Sequence, residues 1–169
     1  RYATNLADLL FRNDRSSEGI KRYESITELA PDALWTYGHL IKANVTTNHP
    51  TRASAWAQQL KNMLTQPGIW ETPINLEPWD IITGSHPNAA YHTLDATNEK
   101  KAYLLYHMAI ARFLTGSENE ADQWVQNAID TLSGSPGFIL KLVAWDIDGF
   151  IKEQNTLKPK LSEFYIRYI

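Results

Sequence analysis

The 169-residue chain contains no cysteine. That absence excludes disulfides, thiolate zinc sites, iron–sulfur clusters and a cysteine nucleophile together, and it leaves the cellular compartment open. Basic charge is also in short supply, with 16 Lys and Arg against 19 Asp and Glu and a sequence pI near 5.9. A nonspecific nucleic-acid partner needs a basic surface to displace counterions, so none is expected. No run approaches the ~20 apolar residues of a membrane span. The best one, Phe138 to Phe150, is broken by Lys141, Asp146 and Asp148. The 8 glycines are scattered and form no phosphate-cradling loop. What the chain has in excess is aromatic: 6 Trp and 8 Tyr. It begins at Arg1 with no signal peptide, and is read as a fragment or processed domain of a larger bacterial protein.

A period runs through the chain. Residues 3–31 form two amphipathic stretches with a break at Asn13-Asp14, closed by Pro31. They carry Leu6-Ala7, Leu10, Gly19, Tyr23, Ile26 and Pro31 at the marks of a tetratricopeptide repeat, which this segment resembles. A second unit, 102–132, places Met108-Ala109, Gly116, Ala121, Val125 and Ala128 at the corresponding marks. Gly19 and Ala121 stand three periods of about 34 residues apart, and one period after Gly19 falls Ala53, with Leu40 and Leu60 in register. The chain length is one residue short of five such periods. The slot falling on Pro87 breaks the pattern.

Periodicity predicts helices over 3–13, 17–29, 33–46, 51–65, 98–115, 117–132, 137–153 and 158–168. Ser16-Ser17 and Ser117 are N-cap types, and Ser117 with Glu120 reads as a capping box. Pro31, Pro50 and Pro136 fall at helix starts or in the breaks before them. Residues 66–97 hold four prolines and no helical period, yet carry Trp70 and Trp79 among several Ile and Leu. This insertion is expected to be ordered and irregular, with short helices near 78–83 and 86–94. The resulting expectation is an all-α fold: one domain, a right-handed solenoid of tetratricopeptide-like hairpins at about 3–31, 33–65, 98–132 and 136–169, interrupted at 66–97.

No catalytic constellation emerges. Asp146-Ile147-Asp148-Gly149 resembles the nucleophile strand of haloacid-dehalogenase-type phosphatases. Phe150 replaces the usual Thr, few residues follow, and no sheet pattern precedes it, so the segment reads as a helix with two acidic residues near its exposed end. His39, His49, His86, His92 and His107 show no metal-ligand spacing and are expected to be satisfied or exposed. No metal, no cofactor and no enzyme activity is expected.

The resemblance implies that first helices of the hairpins line a concave groove. Repeat position assigns Thr4, Asp8, Phe11 and Arg12 from the first hairpin, and Trp35 and Lys42 from the second. Tyr103, Tyr106, Ile110 and Phe113 follow from the third, and Leu140 and Ile147 from the last. The Lys/Asn/Arg set with which some family members clamp a chaperone tail is not matched. The implied function is a non-catalytic scaffold that takes a partner's apolar peptide or helix. The groove is either open or filled by the segment bearing Trp70 and Trp79. The alternative is a sensory or substrate-binding domain holding a small ligand between that insertion and the groove. Partner identity, compartment and oligomeric state are open at this level.

Overall fold

The computed structural model describes residues 2–65, 97–132 and 136–169. Eight helices and no strand occur among them: α1 (Tyr2–Arg12), α2 (Ser16–Leu29), α3 (Leu34–Thr46), α4 (Pro50–Leu64), α5 (Thr97–Leu114), α6 (Glu118–Thr131), α7 (Pro136–Asp148) and α8 (Lys158–Tyr168). The fold is all-α. Among the described residues, no helix is long and apolar enough to cross a membrane.

Three hairpins, α1–α2, α3–α4 and α5–α6, are built by the same local device. Two positions past the end of each first helix stands a residue with positive φ: Asp14 at 59°, Asn48 at 64° and Gly116 at 85°. The following amide reaches back five residues, Arg15 to Leu10 at 2.9 Å, His49 to Asn44 at 2.8 Å and Ser117 to Arg112 at 2.9 Å. This is a left-handed C-terminal cap in which a terminal carbonyl finds a donor, and Asp, Asn and Gly are the residues that tolerate it. The second helices start at Ser16, Pro50 and Glu118, one and then two periods of about 34 residues apart. Gly19, Ala53 and Ala121 occupy the fourth position of each and are buried. At Gly19 a Cβ would stand 3.0 Å from the Ala7 carbonyl oxygen, so the small residue is what lets α1 and α2 approach.

The expected capping box at Ser117 does not form, because Ser117 makes no side-chain cap hydrogen bond. Glu120 turns instead to Lys61 at 3.0 Å and Arg112 at 3.2 Å, joining α6 to α4 and α5. Arg15, rather than a serine, sits at the N-cap of α2.

α5 is the centre of the molecule. It packs on α3, α4, α6, α7 and α8, and Ala102 to Ala111 are buried without a break. α3 is nearly as enclosed. A helix buried on all sides belongs to a core and not to an edge. The last two helices depart from the hairpin pattern. α7 ends at Asp148, short of the expected 153, and packs on α5 and α3, while α8 packs on α5. Asn155 explains the early end: its side-chain amide donates to the Val45 and Thr46 carbonyls, both at 3.0 Å. Its Oδ1 accepts from Leu157 N at 2.8 Å. The segment after α7 is thereby spent on capping α3.

Candidate functional site

Helical spacing brings the site together. On α3, Trp35, Gly38, His39 and Lys42 recur at three and four residues and share one face. Asp8 and Arg12 do so on α1, and Tyr103 and His107 on α5. With Asp146 of α7 and Phe150 just beyond it, these residues line one small pocket with room for about one water, about 20 Å3.

Its floor is a buried ion pair. Lys42 Nζ lies 3.1 Å from both carboxylate oxygens of Asp146, and the Tyr103 hydroxyl donates to Oδ2 at 2.6 Å. The two charged side chains are 11% and 7% exposed. Taking such ions from water costs several kcal/mol each, offset only where hydrogen bonds and geometry are good. Here Tyr103 supplies the extra donor, and Lys42 also stands 4.9 Å over the Phe150 ring. Tyr103 stacks on Trp35 at 5.0 Å, so the phenol is held from both sides.

Two histidines flank the pair. His107 Nδ1 donates to the Tyr103 carbonyl at 2.9 Å, which leaves Nε2 as the bare nitrogen. Burial drives its pKa down to about 4, against the opposing pull of Asp146, so it is neutral. His39 is lowered too, by burial first, with Asp8 pulling the other way. Its ring stacks on Tyr23 at 5.2 Å, and the Tyr23 hydroxyl donates to Asp8. Among the described residues no cluster of three or more His, Asp or Glu is arranged to hold a metal.

Asp8, Arg12, Trp35, Lys42 and Tyr103, all assigned to the groove by repeat position, meet in this pocket. Phe11 lines a neighbouring cavity. Tyr106, Ile110 and Phe113 do not face a groove: they are 1%, 0% and 0% exposed. The physical reason is the central position of α5, packed on five other helices, with Phe113 against Phe164 of α8 at 5.3 Å between ring centres. Burial pushes the Tyr106 phenol up to about 12. Leu140 and Ile147 are likewise core residues, and Thr4 lies in the first turn of α1. Trp70, Trp79, His86, His92 and the short helices expected near them lie outside the described residues.

His39, His107, Asp146 and Phe150 are missing from the groove set. Asp146 does lie on a helix, as expected, but it is buried and paired where an exposed end was anticipated. Its signal was a carboxylate on the apolar side of a helix, between Val143 and Ile147. No family model matches the chain, no curated protein is measurably similar to it, and no solved structure matches its fold.

Proposed function

We propose that this chain is a non-catalytic interaction module, a short right-handed solenoid of tetratricopeptide-like hairpins that takes a partner segment on the face where α1, α3, α5 and α7 meet. The observation that carries the reading is the convergence of Asp8, Arg12, Trp35, Lys42 and Tyr103 from three helices on one pocket. The repeated turn at Asp14, Asn48 and Gly116 and the buried small residues Gly19, Ala53 and Ala121 support the solenoid. The enclosed Lys42–Asp146 pair is support for that surface and not a reacting group. Binding falls instead to the half-exposed rim, where Trp35 offers an apolar anchor beside Asp8 and Arg12. With Tyr106, Ile110 and Phe113 in the core, this rim suits an extended peptide with one apolar side chain better than a whole amphipathic helix.

A displayed random-peptide library, selected on the folded protein, tests the reading. Selected peptides are expected to share an apolar residue, to compete with one another, and to lose about tenfold in affinity, ~1.4 kcal/mol, on Trp35→Ala. Far-ultraviolet circular dichroism confirms that the variant remains folded. Enrichment of nothing, or of peptides that bind Trp35→Ala as tightly, overturns it.

A further inference from the structure

A second cavity, of about 510 Å3, opens beside the pocket and shares Arg12 and Phe150 with it. Where the pocket admits one water, this volume falls in the range of small-molecule sites. One wall is apolar, formed by Phe11 and Phe150 packed edge to face at 6.2 Å. Polar side chains, Asn48 and Gln154 among them, complete the lining.

Charge narrows what fits. Lys152 is tied to Asp14 at 2.6 Å. Arg12, at the end of α1, has no hydrogen-bond or ion-pair partner among the described residues. A guanidinium presents a planar fork that matches a carboxylate or phosphate in two parallel hydrogen bonds. The cavity also sits where three helices end, α1 at Arg12, α3 at Thr46 and α7 at Asp148. Each helix C-terminus carries roughly half a negative charge. Asn155 caps the Val45 and Thr46 carbonyls at the end of α3. Arg12 is the one unpaired cation of the lining among the described residues, and the remaining helix ends disfavour a ligand of more than one negative charge.

We propose that this cavity binds a small monocarboxylate, its carboxylate paired with Arg12, its apolar part against Phe11 and Phe150, and its hydroxyl or amide groups toward Asn48 and Gln154. The site adjoins the peptide-binding rim around Trp35 and shares Arg12 with it, while Trp35 itself does not line this cavity.

The test is calorimetric titration of the purified protein with a panel of hydroxy and amino monocarboxylates of three to six carbons. Their neutral amides and inorganic phosphate serve as comparison ligands. At least one carboxylate is expected to bind saturably while its amide and phosphate do not. Arg12→Gln is expected to weaken that carboxylate at least about tenfold and Arg12→Lys less, since an ammonium keeps the charge and loses the fork. Arg22→Gln, on α2 and outside the cavity, leaves binding unchanged. Arg12 is exposed and unpartnered, so its variants are expected to keep the parent melting temperature, measured alongside. Failure of every carboxylate to bind at about 10 mM overturns the proposal. So does binding indifferent to Arg12→Gln, which marks that cation as no more than a complement to the end of α1, and so does phosphate binding more tightly than the carboxylates.

Discussion

Successive turns of α5 carry residues of one helical face and meet opposite surroundings. Tyr103 and His107, nearer its start, face a buried carboxylate, a lysine and another aromatic. Ile110 and Phe113, one and two turns further on, close on an apolar layer with Phe164. A helical period reports which side chains point the same way; it says nothing of what lies opposite them. What lies opposite comes from α7 at one end and α8 at the other, elements that arrive much later in the chain.

The sharpest way to break the contrast is Asp146→Ala. It leaves Lys42 buried without its counter-charge and is expected to cost about 3–5 kcal/mol in urea unfolding. Replacing both partners, Lys42→Met with Asp146→Leu, is expected to recover most of that loss. A double-mutant cycle then shows strong coupling at this end, and its absence would mean that the pair is not the fastening the structure describes.

Acid distinguishes the two ends next. The folded-state pKa of His107, about 4, lies below its ordinary 6.5, so folding favours the neutral ring. The stability this contributes is complete above pH 6.5 and is lost as the pH falls toward 4, by roughly 3 kcal/mol. His107→Gln is expected to flatten unfolding free energy over that interval, whereas Phe113→Leu leaves its slope as it was. That second variant trims the apolar end at a cost of about 1 kcal/mol, since a smaller apolar side chain fills most of the same space. The smallest effect concerns the turn just past Phe113. Gly116→Ala meets nothing within 4 Å and pays only for a positive φ, about 1 kcal/mol, read as a small drop in melting temperature.

Much of the frame was legible because it is local. The helices follow from periodicity, and the breaks at Asn13-Asp14 and Gly116 mark two of the three turns that share a left-handed cap. Asn48, the third, is a residue type that tolerates the same conformation. The groove assignment held a different kind of information. Asp8, Arg12, Trp35 and Lys42, on α1 and α3, line one pocket with Tyr103. Tyr106, Ile110 and Phe113 go into the core because α5 is packed on five other helices; Phe113 meets Phe164 of α8, a contact between residues some fifty positions apart that no spacing within α5 encodes. Asp146 and Asn155 were hidden for the same reason: the partner of one is 104 residues away, and the carbonyls that hold the other are 109 and 110 away. Ser117 shows the reverse failure, a sound local motif displaced when Glu120 found two cations on neighbouring helices.

Stacked helical hairpins are usually modular, each holding only its neighbours, so that arrays fray from the ends and tolerate removal of units. The Lys42–Asp146–Tyr103 contact works against that modularity. It shares one carboxylate among the second hairpin, the third, and a helix that belongs to neither. Peeling α7 away strands an ammonium in α3 and a phenol in α5 at once, so the loss is felt in two hairpins before either has begun to open. Native-state hydrogen exchange would then report α3, α5 and α7 opening together at one free energy, a single cooperative unit inside a chain whose turns repeat as though its parts were separable.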